Sequence, residues 1–551
     1  MTIEITTDVL VVGGGLAALR AAYDALRSGA RVVVAVKGKA GRSGSSAMTS
    51  AGYSTALSES DSTTAYYEDT IKGGRGINDP KLVRILAEEG PQRLSELVAL
   101  GAPLGLDEAG TWRIFPSGDH SVPRTVSAAN HTGRDFTEPL TEAVISLGAQ
   151  ILEMTSALEV VVDDGEVAGA LLLDYERGDL VKVMSRSVIL GTGGAGRLFA
   201  VTSNPNDATG DGYALALAAG ASLRDMEFIQ FYPWRCIIPF EHNRMPIQPS
   251  TFVLGATLLN SDGERFMLRY DPQRGEGTTR DVAARGIYDQ INSGKGIKGG
   301  VRLDVSALSL EQWVMSNPKA SRYFLERDLD FQKEEMILSP EAHFFMGGVV
   351  VGEWGESEIP GLFAVGEAAG GVHGANRLDS NAIPETQVFG ARAGKAAAAR
   401  AEATRQMAFP AAREKAWSDR FGAAMAAGST DSADYPGMRK DLQATMWQTL
   451  GIVRTRDEMR RGLAEVETIR QRLDGASPAG ARALMLHAQM ANSLLVARAC
   501  LTAALTREES RGAHYRKDFP DQDDARWKCS LREDLTTGEL RIRRLEVEAA
   551  A

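Results

Sequence analysis

Val9-Leu10-Val11-Val12-Gly13-Gly14-Gly15-Leu16-Ala17-Ala18 is the stretch that decides the fold. Four consecutive apolar residues suit a strand buried on both faces. They run into G-x-G-x-x-A, and an Ala-rich helical stretch follows through Leu26. Arg31-Val32-Val33-Val34-Ala35-Val36 supplies the next strand and completes a βαβ unit. Gly13 makes the tight turn, Gly15 lets backbone approach a pyrophosphate at the helix N-terminus, and small Ala18 lets helix pack on sheet. The place of the motif, after a strand and before a helix, points to dinucleotide binding. Lys37 ends the second strand, where an acidic residue commonly holds a ribose hydroxyl. The loop Gly41-Arg42-Ser43-Gly44-Ser45-Ser46-Ala47 comes next, and Ser43 and Ser45 are candidates to line a cofactor.

Two more strands end in glycine. A strand-like stretch over 181–190 exits into Gly191-Thr192-Gly193-Gly194-Ala195-Gly196, and Leu362-Phe363-Ala364-Val365 exits into Gly366-Glu367. Strands are also expected over 157–162 and 167–173, joined by the hairpin turn Asp163-Asp164-Gly165. A helix is expected after Asn381. Strands that converge from near residues 10, 190 and 365 imply a discontinuous α/β domain. The expected division is a first part over 1–236, an inserted α+β capping domain over 237–341, and a second part over 342–408. Residues 409–551 form a helical domain, with 409–437 as a linker containing Pro410, Gly428 and Pro436. Helices are expected over 442–452, 456–473 and 478–505, the last capped by Ser477 with Pro478 in first position.

Composition narrows the function classes. Lys and Arg total 61 against 72 for Asp and Glu, a net charge of −11. That balance argues against nucleic acid or an anionic membrane surface as main partner, but not against a small anion in a local cleft. The 57 glycines of 551 residues exceed the usual ~7%, which fits several close backbone approaches. Cys236, Cys500 and Cys529 are too few and too scattered for a disulfide framework or a Cys-built zinc or iron–sulfur site, and no metal site is expected. The first eight residues lack a signal-peptide pattern, and no apolar run reaches ~18 residues. The expectation is a cytoplasmic protein without a transmembrane helix.

The motifs then add up along nearly the whole chain. After residues 11–18 come Thr209-Gly210-Asp211-Gly212, Leu223-Arg224-Asp225-Met226-Glu227-Phe228, and Leu259-Asn260-Ser261-Asp262-Gly263-Glu264-Arg265-Phe266-Met267. Thr279-Arg280-Asp281-Val282 follows, then His373-Gly374-Ala375-Asn376-Arg377-Leu378 with Ser380-Asn381. Met446-Trp447, Gly451-Ile452-Val453-Arg454 and Glu509-Ser510-Arg511-Gly512-Ala513-His514-Tyr515-Arg516 close the series. In this order they resemble the flavoprotein subunits of succinate dehydrogenase and fumarate reductase, together with L-aspartate oxidase. The resemblance implies FAD, held in a Rossmann-like FAD-binding domain with an inserted α+β capping domain and a C-terminal helical bundle. Lys in place of the acid at position 37 is common in that family. By motif match Gly13, Gly15, Gly193, Asp211 and Glu367 hold parts of FAD. Ser380, Asn381, Ala382 and Ile383 line the flavin ring, where helix amides favour the charge that builds up on reduction.

The same resemblance implies the chemistry. A hydride moves between flavin N5 and a CH–CH or CH–NH unit of a small carboxylate, and Arg280 shuttles the accompanying proton. Asp281 is a candidate ion-pair partner for Arg280. His343 and Arg377 match the residues that hold a substrate carboxylate, for which a planar guanidinium is well suited. Two arrangements stay open: a self-standing oxidoreductase, in the manner of L-aspartate oxidase, or a flavoprotein that passes electrons to an iron–sulfur partner.

Four departures bear on substrate. Gly44 stands where the respiratory enzymes carry a histidine that binds FAD covalently, so FAD is expected to be non-covalent. Phe231-Tyr232-Pro233-Trp234 replaces Phe-His-Pro-Thr, leaving Tyr232 as a neutral hydrogen-bond donor toward the far end of the substrate. Pro249-Ser250-Thr251-Phe252 replaces a stretch that supplies a threonine to the distal carboxylate and a glutamate to the proton relay; Ser250 or Thr251 is the remaining candidate for the threonine. Ser117 replaces the glutamate that attracts an ammonium in L-aspartate oxidase, while His120 and Arg124-Thr125 keep the local pattern. The expected substrate is therefore a small carboxylate whose far end is neutral, amino-bearing or aromatic.

Overall fold

The computed structural model describes residues 2–50, 52–106, 110–116, 119–127, 132–240, 245–427 and 433–547. At its centre lies a parallel five-stranded sheet in the order Leu362–Ala364, Ser187–Leu190, Val9–Val12, Val32–Ala35, Gln150–Leu152. The first four strands are buried along their whole length, which is why, apart from Ser187, their sequences are apolar throughout. Helices Leu16–Arg27 and Ala382–Ala403 pack closely against each other beside the sheet. Their spacing rests on glycine: a Cβ on Gly394 would lie 2.3 Å from the Ala21 carbonyl oxygen.

The stretch over 181–190 is two strands rather than one. Asp179–Met184 joins a second sheet with Thr2–Thr6, Glu166–Asp174 and Thr155–Asp163, and Ser187–Leu190 enters the central sheet. The chain changes sheets across Ser185 and Arg186, a switch that apolar patterning cannot register. Asp164 and Gly165 both take positive φ in the expected hairpin turn.

A third sheet covers the site in the order Met245–Pro246, Ile229–Ile238, Ile337–Phe345, Val301–Asp304, Thr257–Leu259. It has its own core, including Trp234, Phe252, Ile287, Trp313 and Phe324. Ile229–Ile238 and Ile337–Phe345 pair antiparallel and run unbroken across positions 236 and 341. The cap and the part built on the central sheet thus share two continuous strands.

The C-terminal region departs from the sequence expectation in three places. The supposed linker over 409–437 contains the helix Ala411–Ala426, while Gly428 lies outside the described residues. Helices Tyr435–Thr449 and Arg456–Asp474 follow, but the next helix is Ala481–Thr506, entered through Gly480 at φ +84° rather than through Ser477 and Pro478. Its entry is fixed by the Gly480 amide donating to the Ala424 carbonyl at 2.8 Å. Strands Cys529–Thr536 and Glu539–Glu546 then form an antiparallel hairpin where only helix was expected, turning at Thr537 and Gly538 with positive φ. That hairpin pairs with Leu223–Arg224. Among the described helices, Ala481–Thr506 alone is long and apolar enough by length and composition to cross a membrane. An uninterrupted-run criterion misses it because Arg482, His487 and Arg498 break the run. Here most of its apolar window is buried inside the fold.

Candidate active site

One cavity of about 430 Å³ runs from the turn Gly13–Ala17 to Arg235 and Lys319 at the cap. The helix that starts at Leu16 has Gly15 as N-cap; the Leu16 amide donates to Ser46 Oγ at 3.1 Å, and the amides that follow it in the first turn are the natural seat for an anion. Gly13 has φ +126°, and a Cβ there would lie 2.2 Å from the Gly191 carbonyl oxygen. The hydroxyl of Thr192, which also lines the cavity, is buried without a hydrogen-bond partner. A helix start with a glycine N-cap, a turn only glycine can make and an orphaned hydroxyl fit a dinucleotide cofactor. Gly13→Ala is expected to purify colourless and less stable, read as loss of flavin absorbance and a lower midpoint of thermal unfolding relative to the parent.

Gly15, Ser43, Ser45, Gly193, Ala382 and Ile383 line this cavity together with Lys37, Asp211 and Glu367. Lys37 Nζ donates to Asp211 Oδ2 and Thr209 Oγ1, both at 2.7 Å, and to the Asp207 carbonyl at 2.8 Å. Burial raises the Asp211 carboxyl, but Lys37, Asn492 and Thr209 outweigh it and hold the group below its ordinary value. Burial pushes the Glu367 carboxyl up to about 7, opposed by the Phe345 amide, which donates to it at 3.0 Å.

Two expected flavin-lining residues do not reach the cavity. Asn381 is fully buried on the far side, where its amide donates to Thr70 Oγ1 and accepts from the Tyr66 hydroxyl. Ser380, at φ +58°, accepts from the Gly52 amide and lines a smaller neighbouring cavity. The positive φ at Ser380 turns the chain away just before the helix begins.

At the other end, Gln230 organises two guanidiniums. Its Oε1 accepts from Arg280 Nη1 at 3.1 Å and from Arg377 Nη2 at 3.0 Å, while its amide nitrogen donates to the Arg377 carbonyl at 2.7 Å. Arg280 also pairs with Asp379 and lies over the Tyr232 ring, 5.2 Å from its centre. Burial alone would lower the Arg280 pKa; Asp379 and Asp119 outweigh it, and the net direction is upward. Arg377 is only 3% exposed and has no carboxylate within ion-pair distance among the described residues. Burial, reinforced by Arg280, drives it down to about 10. His343 shares a 2.8 Å hydrogen bond between Nδ1 and Ser203, and burial beside Arg377, Arg280 and Arg235 keeps its imidazole neutral.

Several expectations need correcting. Asp281 does not pair with Arg280; it faces Arg285, Arg75 and Asn376. The Tyr232 hydroxyl is not free for substrate, because it donates to the Ile247 carbonyl at 2.6 Å. Thr251 is fully buried and accepts from Asn317 at 2.7 Å, and Ser250 lines only the smaller cavity. Arg124 stands off the cavity, paired with Asp61 and Asp69, and His120 Nε2 bonds the Asp379 carbonyl at 2.9 Å. Ser117 lies outside the described residues.

The far end is also more cationic than expected. Arg235 lines the cavity and pairs with Glu341 at 3.2 Å. It shares a face with Tyr232 because a bulge at Pro233 and Trp234 inserts one extra residue against Ile337–Phe345. Lys319, on the cap helix Pro318–Leu325, reaches the same space and donates to Ser50 at 2.7 Å. It has no carboxylate within ion-pair distance among the described residues, and burial lowers its pKa. Gln230, Arg235, Lys319 and Asp379 are thus site residues that motif matching did not supply. Gln230 stands out in the sequence as a lone polar residue at the apolar start of the strand Ile229–Ile238.

Known proteins place this architecture. A family model described as FAD binding domain matches residues 8–383, and one described as fumarate reductase flavoprotein C-term matches residues 439–550. One of the subunits of the CoM/CoB fumarate reductase of Methanothermobacter marburgensis is 38% identical over 95% of this chain and 96% of its own. L-aspartate oxidase of Caulobacter vibrioides is 35% identical over 93% of this chain and 94% of its own. The solved FrdA chain of E. coli quinol fumarate reductase superposes with a TM-score of 0.90 at 26% identity, covering 99% of this chain and 97% of that one. The chain therefore belongs to the FAD-binding fumarate reductase flavoprotein family and is an FAD-dependent oxidoreductase.

Proposed function

We propose that this enzyme interconverts the saturated and unsaturated forms of a small substrate carrying two anionic groups. The observation that carries this is the pair of uncompensated cations facing one cavity. Arg280 has Asp379 and Arg235 has Glu341, but Arg377 and Lys319 have no such partner among the described residues. A substrate with a carboxylate at each end would neutralise both. This replaces the expectation of a neutral, amino-bearing or aromatic far end.

FAD, when bound, supplies the hydride acceptor or donor. Arg377 grips the proximal carboxylate, and its low pKa without a partner makes that contact favourable on binding. Ser203 donating to His343 Nδ1 leaves Nε2–H to donate to the same carboxylate. Arg280 gives or takes the proton at the carbon next to the one that exchanges hydride. Lys319 holds the distal anion. Gln230 fixes both guanidiniums through one oxygen, so the clamp and the proton donor keep a constant separation.

The test is reoxidation of the dithionite-reduced enzyme by unsaturated acids. Fumarate-like dicarboxylates should reoxidise the flavin, whereas monocarboxylates such as crotonate should be at least ~10-fold poorer, as expected for one unsatisfied buried charge. Lys319→Met should erase that preference by raising KM for the dicarboxylate. Equal rates with both classes would sink the proposal.

We infer further that FAD is held without a covalent bond. Gly44 lines the cavity with φ +82° and carries no side chain to attach. Heat precipitation should leave yellow FAD in the supernatant; yellow precipitate would contradict it. The Methanothermobacter relative is one component of a larger enzyme, which supports an electron-transfer partner here as well.

A further inference from the structure

A second, smaller cavity of about 70 Å³ lies beside the first. Its lining is largely polar, with Ser127, Ser250, Ser316 and Asn317 among it. It opens to solvent beside Met315, which is 56% exposed. The volume has room for about two waters. Ser50, Pro246, Gln248, Lys319 and Asp379 line both cavities and so form the wall between them. Asp379 is the only carboxylate in that wall among the described residues, and on its inner side it pairs with Arg280.

We propose that Asp379 is the relay that exchanges protons between Arg280 and solvent, through the small polar cavity. This inference rests on the proposed role of Arg280. Addition of hydride and proton across a carbon–carbon double bond consumes one solvent proton per turnover. As the new C–H bond forms, the Nη–H bond of Arg280 breaks and its guanidinium becomes neutral. A hydronium in the small cavity then protonates the Asp379 carboxylate, leaving water. The new carboxylic acid O–H breaks in turn, and its proton restores the guanidinium and with it the ion pair. In dehydrogenation every step runs backwards and one proton leaves.

The placement suits the task. A proton that arrives while the main cavity holds cofactor and substrate must enter from another side, and Asp379 faces both spaces. Its backbone is fixed on each side: its amide donates to Asp119 Oδ2 at 2.8 Å, and its carbonyl accepts from His120 Nε2. The charged and titratable groups facing Asp379 are Arg280, Arg377, Asp119, His120, Lys319 and Tyr232.

The test uses the FAD-loaded full chain and whichever carboxylate the wild type turns over in the screen above. Asp379→Asn keeps the shape and an oxygen for Arg280 but carries no transferable proton. Its kcat should fall ~10²-fold or more, the range for one lost general acid. Binding of an unreactive dicarboxylate such as malonate, followed by flavin absorbance, should stay within about threefold. The solvent deuterium isotope effect on kcat should grow, and Asp379→Glu should recover part of the rate. Ser250→Phe, which fills the small cavity from its outer side, should lower kcat and raise the isotope effect without weakening malonate binding. Wild-type kcat and isotope effect in Asp379→Asn would overturn the relay alone. No turnover of any carboxylate by the wild type would overturn the proposed function, and the relay with it.

Discussion

Arg280→Lys is expected to lower turnover by ~10³-fold while leaving the protein yellow and folded, within the span for loss of a positioned proton donor. Arg280 opens the helix Arg280–Asn292 and is buried, so its side chain has no solvent substitute. One guanidinium satisfies Gln230 with Nη1, pairs with Asp379 through Nη2, and spreads its plane over Tyr232. An ammonium keeps the charge, but it ends in a single nitrogen on a shorter stem and cannot occupy both positions that Nη1 and Nη2 take against Gln230 and Asp379. Charge balance in the cavity survives, so FAD retention and malonate binding should change little. The measurement is single-turnover reoxidation of reduced flavin by an unsaturated dicarboxylate. A loss smaller than ~10-fold would remove Arg280 as the proton donor. Arg280→Ala would be the poorer experiment, because it strands Asp379 without its partner and mixes folding with chemistry.

Arg507→Met should cost about 3–5 kcal/mol of stability, the range for breaking a buried ion network by removing one partner. Arg507 is fully buried. Its Nε donates to Glu227 at 2.6 Å, Nη1 donates to Glu509 at 3.1 Å and to the Trp527 carbonyl, and Nη2 donates to the Cys529 carbonyl. Its guanidinium also lies 4.9 Å from the centre of the Phe228 ring. Methionine keeps an unbranched stem but is shorter and uncharged, and it leaves Glu227 buried beside Asp225 and Glu533 without its ion-pair partner, where burial already pushes its carboxyl upward. The midpoint of thermal unfolding should drop clearly in the FAD-loaded chain; a shift under about one degree would contradict the expectation. Residues 225–228 lead directly into the strand that carries Gln230 and Tyr232. Loss of Arg507 should therefore also loosen the clamp, seen as weaker malonate binding.

What the sequence made legible follows from locality. The βαβ unit, the glycine exits and the helix after Asn381 are encoded in contiguous residues, and the structure realises each of them. Lys37, Asp211, Glu367, Arg280, His343 and Arg377 meet in one cavity because each sits in a motif whose neighbours fix its direction. Misses arose where direction depends on tertiary context. Arg235 reaches the site only because a bulge resets the strand's alternation, and a period-two pattern would assign it to the opposite face from Tyr232. Lys319 arrives from a cap helix that local sequence cannot dock. Asp379 stands between Leu378 and Ser380 inside a quoted motif, yet its partner is 99 residues away. Tyr232 and Asn381 sit at the expected positions, but nearby carbonyl and hydroxyl groups claim their polar atoms. Gly480 moved a helix start, because a positive φ outranked a favourable Ser-Pro pair.

The two strands shared by cap and FAD-binding part set a mechanical rule for substrate entry. Ile229–Ile238 carries Gln230, Tyr232 and Arg235, and Ile337–Phe345 carries Glu341 and His343. Any swing of the cap must bend this pair. Arg235 and Lys319 lie toward the cap and Arg377 lies on the other side, so the distance between the cations of the cavity is set by the curvature of two continuous strands rather than by a loop. A molecule that reached from one cation to the other would be measured against that span as it entered.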